Sequence, residues 1–179
     1  MSEKGAYMDN HNPNPMLVVV FGLPGSGKTY FATQLAARLN ARLVSSDELR
    51  KQMFDTPTYT EDEKKEIYAA IYQQAKACCL KQETLVIDAT YYKEQYRQQL
   101  LQGLGTSTHV IFIEVITKEH IAKSRLARKR PLSDADFSVY QQIKKEWEPF
   151  VGEHLQLEST NHNIDQMLET AMAFLHVEA

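Results

Sequence analysis

Residues Gly22-Leu23-Pro24-Gly25-Ser26-Gly27-Lys28-Thr29 fit the phosphate-binding pattern G-x-x-x-x-G-K-S/T and follow directly on the apolar run Met16-Leu17-Val18-Val19-Val20-Phe21. Strand, loop and helix therefore succeed one another within a short stretch of chain. Gly22, Gly25 and Gly27 permit a turn whose backbone N–H groups point inward at phosphate oxygens, because glycine accepts positive φ. In such a loop the lysine, Lys28, reaches the β- and γ-phosphates of a nucleotide, and the hydroxyl of Thr29 ligates Mg²⁺. The nucleotide-binding set thus runs from Gly22 through Leu23, Pro24, Gly25, Ser26, Gly27, Lys28 and Thr29 to Tyr30. The next helix carries Phe31, Leu35 and Leu39 at helical spacing and ends near Asn40, so its positive N-terminus faces the phosphates.

A chain of 179 residues with 43% hydrophobic content suits one sizeable core, and a single domain over residues 16–179 is expected. Residues 1–15 are polar, hold Asn12-Pro13-Asn14-Pro15 and lack the pattern of a signal peptide; they read as a disordered leader. No apolar run approaches the roughly 20 residues of a membrane span, and no membrane partner is expected. Cys78 and Cys79 are adjacent in a helical pattern, where side chains diverge, so they read as reduced thiols of a cytoplasmic protein. The net charge of −3 disfavours nucleic acid as a partner. The local exception is Lys118 to Arg130, where Lys118, Lys123, Arg125, Arg128, Lys129 and Arg130 meet one acid, Glu119.

Short β-branched runs alternate with longer helical patterns, as in βαβ units with a mostly parallel sheet. The strands read Leu17–Phe21, Arg42–Ser45, Leu85–Asp88, His109–Val115 and Leu155–Leu157. Helices are expected from near Asp47, from the capping box Thr60-Glu61-Asp62-Glu63 to about Leu80, from Phe137 to Trp147, and from Asp165 to Leu175. Trp147 and Phe150 read as core anchors. The histidines show no ligand spacing.

Ligands of open parallel sheets lie beyond the carboxyl ends of the strands, which singles out two acids. Asp88 closes the apolar strand Leu85-Val86-Ile87, the Walker-B arrangement, and joins Thr29 as a candidate holder of Mg²⁺. Asp47 follows the second strand, where a carboxylate facing phosphates serves catalysis; the alternative is that Ser46 or Asp47 caps the next helix. Tyr91, Tyr92 and Tyr96 follow the third strand and either line a pocket or pack in the core.

With these motifs in order, the chain resembles the P-loop kinases of the polynucleotide-kinase and zeta-toxin-like group, over Met16 to about Leu157. The resemblance rests on Gly22–Thr29, Asp47-Glu48-Leu49-Arg50, Asp88-Ala89-Thr90, Arg97, Arg125-Leu126-Ala127-Arg128 and Ser133-Asp134-Ala135. It implies a three-layer α/β/α fold, a five-stranded parallel sheet in the order 2-3-1-4-5, and a short arginine-bearing lid over Lys123–Arg130. It also implies ATP and Mg²⁺ as cofactors, Asp47 as the group that orients and deprotonates an acceptor hydroxyl, and Arg50 and Arg97 as substrate-binding residues. Polynucleotide kinases proper resemble one another in an Asn near the second-strand Asp and in Asp-x-Thr-Asn after the third strand. Ser45-Ser46-Asp47 and Asp88-Ala89-Thr90-Tyr91 depart from both patterns.

Phosphoryl transfer passes through a loose transition state, so catalysis is chiefly positioning and positive charge. Lys28 and Arg128 are the cations assigned to the transferring group, with Asp47 as base, and Arg125 is assigned to the nucleotide, flat on the adenine. The expected activity is transfer of the γ-phosphoryl group of ATP to a hydroxyl of a small molecule, nucleoside or sugar-nucleotide. The alternatives are a polynucleotide 5′-hydroxyl kinase and a regulatory ATPase without an acceptor.

Overall fold

The computed structural model describes residues 16–105, 108–128 and 135–175. The leader, Lys129, Arg130, Ser133 and Asp134 lie outside the described residues, and with them part of the expected lid. Strands β1 (Leu17–Phe21), β2 (Arg42–Ser45), β3 (Leu85–Asp88), β4 (Val110–Ile116) and β5 (Leu155–Glu158) form one sheet in the order β2-β3-β1-β4-β5. Every pairing is parallel. The order is the one the resemblance implies. Helices α1 (Lys28–Arg38), α2 (Ser46–Met53), α3 (Glu61–Leu80), α4 (Glu94–Leu104), α5 (Glu119–Leu126), α6 (Phe137–Lys145) and α7 (Ile164–Phe174) complete the described chain.

Strand β1 is buried along its whole length because it lies between two cores. Leu17, Val19 and Phe21 face one side, with Ile67 and Ile71 of α3 and Tyr96 and Leu100 of α4. Val18 and Val20 face the other, with Phe31 and Leu35 of α1 and Leu168, Ala171 and Met172 of α7. Trp147 stacks on Phe21 with ring centroids 6.1 Å apart, and Phe150 packs on the same ring at 5.5 Å. Both therefore act as the expected core anchors. No helix among the described residues is long and apolar enough to cross a membrane.

Three helices differ from the sequence reading. Helices α4 and α5 were not anticipated, and α6 stops at Lys145, short of Trp147, whose half-buried ring packs against the core. The capping box also closes differently. The Thr60 hydroxyl accepts from Glu63 N–H, but the Glu63 carboxylate turns to the N–H groups of Thr58 and Tyr59 and to Arg50. An arginine within reach outbids the neutral cap.

Register decides where the chemistry lies. Val20, Ser45 and Asp88 stand level across β1, β2 and β3. The phosphate loop, the start of α2 and the segment after β3 thus leave the sheet at one edge.

Candidate active site

Two glycines of the loop have no substitute. Gly22 has φ 150°, and a Cβ there would stand 2.3 Å from the carbonyl oxygen of Val115 in β4. Gly27 has φ 95° and is the N-cap of α1, with no side-chain cap and no acid in the first turn. The leading N–H groups of α1 are therefore left for an anion, which also meets the positive end of the helix.

Asp88 is 3% exposed at the end of β3. Its Oδ2 accepts from the Ser45 hydroxyl at 3.3 Å, whereas its Oδ1 is buried with no partner among the described residues. Burial raises its pKa, Lys28 and the hydroxyls of Thr29 and Ser45 pull it back, and Asp47 pushes it up again. An orphaned carboxylate oxygen beside a threonine hydroxyl and level with the phosphate loop fits Mg²⁺. Thr29 and Asp88 would hold it, and the ion would supply positive charge to the phosphates.

Asp47 lies one turn-step inside α2, whose N-cap is Ser45. Neither Ser46 nor Asp47 is the cap, and the Ser45 hydroxyl itself is given to Asp88. The half-buried carboxylate borders two cavities. The larger, about 900 Å³, lies between the first turn of α1, Tyr30, Arg125, Arg128, the residues Ser159–Asn161 after β5 and the start of α7. The smaller, about 260 Å³, lies on the side of α2, α3 and α6 and holds Arg50, Tyr59 and Tyr92 in its wall. Lys28 and Asp47 line both.

The arginines divide by what their guanidinium groups already hold. Arg125 donates to the carbonyl oxygens of Gly25 (3.3 Å), Ser26 (2.9 Å) and Thr160 (2.8 Å), to the Ser159 hydroxyl (3.2 Å) and to Asn161 Oδ1 (3.3 Å). It ties the phosphate loop to the segment after β5 and forms one wall of the larger cavity. Arg128 lines the same cavity, and among the described residues its side chain makes no hydrogen bond or ion pair. Arg50 is ion-paired with Glu63 and lies under the Tyr59 ring, 4.7 Å from its centroid, in the wall of the smaller cavity.

Arg97 corrects the sequence expectation. It is fully buried in α4, where it holds Glu94 and donates to the carbonyl oxygens of Tyr91, Glu148 and Pro149. It lines neither cavity. Its donors are spent on locking α4 to the segment after α6, so it is a structural residue and not a substrate-binding one. Tyr91 and Tyr96 are likewise core, Tyr96 stacked on Tyr68 and Tyr91 tilted against it, while Tyr92 reaches the smaller cavity.

Sequence reasoning passed over Ser45, Glu63, Lys64 and Ser159–Asn161. The last of these follow a strand end, and the rule that singled out Asp47 and Asp88 applies to them as well.

The fold is shared widely among solved structures. A sugar kinase from a Janibacter species aligns over 91% of this chain and 95% of its own, with a TM-score of 0.71 and 20% identity. A gluconokinase from Sinorhizobium meliloti aligns over 90% and 92%, with a TM-score of 0.67 and 20% identity. An APS kinase from Mycobacterium tuberculosis, solved with AMPPNP and APS, aligns over 92% and 99%, with a TM-score of 0.66 and 16% identity. No curated protein matches the sequence. A family profile described as an AAA domain matches residues 17–150, and with the phosphate loop, the Asp88 strand and the order of the sheet in place, the chain belongs to this AAA-domain family of P-loop proteins.

Proposed function

We propose that this protein is a kinase that transfers the γ-phosphoryl group of ATP to a hydroxyl of a small molecule. The observation that carries the reading is the pair of cavities meeting at Lys28 and Asp47. A donor on one side and an acceptor on the other would share the cation that touches the transferred group and the carboxylate that takes the acceptor proton. The larger cavity suits the nucleotide, since it borders the open end of α1. A regulatory ATPase has no use for the second cavity, and the small volume of that cavity disfavours a polynucleotide end. The order Asp47, Arg50, Asp88 and Arg128 along the chain supports placement in the polynucleotide-kinase and zeta-toxin-like group, and the folds of small-molecule kinases such as gluconokinase support the choice of acceptor size.

In this reading Lys28 bridges the β- and γ-phosphates, Arg128 supplies charge to the transferring group, Arg125 flanks the base, and Asp47 orients and deprotonates the acceptor. A screen of hydroxyl acceptors with γ-labelled ATP tests it. Label is expected in an acceptor, and Lys28→Ala is expected to abolish that transfer with an unchanged melt, because Lys28 faces ligand and not core. Label found in inorganic phosphate alone would return the protein to the ATPase reading.

A further inference from the structure

If the smaller cavity is the acceptor site of a phosphotransferase, its charge restricts the acceptor. Arg50 is ion-paired with Glu63, Lys64 Nζ lies 2.7 Å from Glu61 Oε1, and Glu146 lies 3.5 Å from Lys93 Nζ. The Glu63 and Glu61 carboxylates are ionised. Burial works to raise Glu63, but hydrogen bonds from Thr58, Arg50 and Tyr59 outweigh it and bring it to about 2. Lys64 and the Tyr96 hydroxyl hold Glu61 at about 2. The wall cations are thus already matched by carboxylates of the chain. Among the described residues Lys28 is the wall cation left over, and in this reading it belongs to the nucleotide phosphates. Asp47 then faces the acceptor with no cation of its own among the described residues.

The polar capacity that remains is small. Arg50 is 8% exposed, is paired with Glu63, and has its Nε–H closed off from solvent. Tyr92, Ile67 and Ile143 give the rest of the wall an apolar face. The cavity, about 260 Å³, has room for one substituted ring.

We propose that the acceptor is an uncharged, hydroxyl-bearing molecule of about one ring, placed with one hydroxyl on Asp47 and an apolar face on Tyr92. The acceptor oxygen attacks the γ-phosphorus as the bond from that phosphorus to the β,γ-bridging oxygen breaks. The hydroxyl proton passes to Asp47, and ADP leaves. A carboxylated or phosphorylated acceptor would be desolvated beside Asp47 with no free cation among the described residues of the wall to meet it, which opposes its binding.

The test begins by saturating the protein with Mg²⁺ and AMP-PNP, followed by calorimetry. Failure at that step would overturn the nucleotide reading itself and not the acceptor class. Glucuronate and sulfate are then titrated into the saturated wild type, Arg50→Met and Glu63→Gln, at ionic strength matched with sodium chloride. No Arg50-dependent binding is expected in the wild type, and Glu63→Gln, which frees the charge of Arg50, is expected to gain it. Wild-type binding of either anion that is lost in Arg50→Met would overturn the proposal. In parallel, γ-labelled ATP is supplied with the pairs glucose and glucuronate, and inositol and inositol monophosphate. Transfer to the neutral member of a pair is expected to be faster by about tenfold or more, and preference for the charged member would overturn the proposal even if Glu63→Gln failed to fold.

Discussion

Two buried or half-buried carboxylates stand near one lysine at the edge of the sheet, and their surroundings give them different tasks. Asp47 borders both cavities and no hydrogen bond caps α2 through it, so Asp47→Asn keeps the shape and the helix while removing the base proposed for transfer. Single-turnover transfer is expected to fall by roughly 10²–10⁴-fold, with nucleotide affinity and the melt unchanged. Asp88 is the opposite case. Its folded-state pKa is raised above 3.8, chiefly by burial, so its ionised form at neutral pH costs stability in the unliganded protein. The favourable contribution exists below 3.8 and is lost as pH rises through the raised value. Asp88→Asn is therefore expected to melt higher than the wild type at neutral pH without nucleotide or Mg²⁺, the gap closing as the pH falls toward 3.8, and to lose Mg²⁺-dependent transfer. Calorimetric melts across pH check the sign.

At the scale of elements, the strands were legible because each is a short apolar run with a clear stop, and β1, β2 and β3 begin and end where the sequence places them. Helix α1 was legible from its loop, and α3 from Thr60 and Glu63. Helix α4 was not. It has no side-chain cap, and its buried face carries Arg97 between Tyr96 and Leu100, so the apolar stripe is broken by a charge. The same arginine looked like a site residue because sequence cannot tell a buried guanidinium from an exposed one. Its role predicts the consequence of its loss. Arg97→Met would strand the carbonyl oxygens of Tyr91, Glu148 and Pro149 in the interior. A cost of about 3 kcal/mol is expected, or roughly 6–12 °C in Tm for a chain of this size, with the acceptor KM unchanged in the protein that remains folded. A raised acceptor KM with an unchanged melt would return Arg97 to the site.

Over the whole molecule, the phosphate-loop side of the site was legible and the side of the smaller cavity was only half so. The phosphate loop and Asp88 are local patterns, whereas the wall of the smaller cavity draws on α2, α3, α6 and the segment after β3, brought together by the sheet and not by sequence proximity. Glu63 shows the difficulty: its position announces a helix start, and only the fold reveals that it fixes Arg50. The same distinction separates the two arginines of the larger cavity. Arg125 is engaged by the phosphate loop and by Ser159–Asn161, so it builds the cavity in the resting protein. Arg128 borders that cavity with no partner among the described residues, which suits a group whose partner is the charge that develops during transfer. Arg125→Ala is expected to weaken ATP-analogue binding and lower the melt. Arg128→Ala is expected to leave both in place and reduce kcat by about 10³-fold or more, the range for an arginine on a transferring phosphoryl group. Arg128→Lys should recover little, because a single ammonium cannot reproduce the planar fork. Analogue affinity and single-turnover transfer, measured on all three variants, decide the assignment: a loss at Arg128 confined to affinity would place it with Arg125 on the nucleotide and leave Lys28 as the cation of the transferring group.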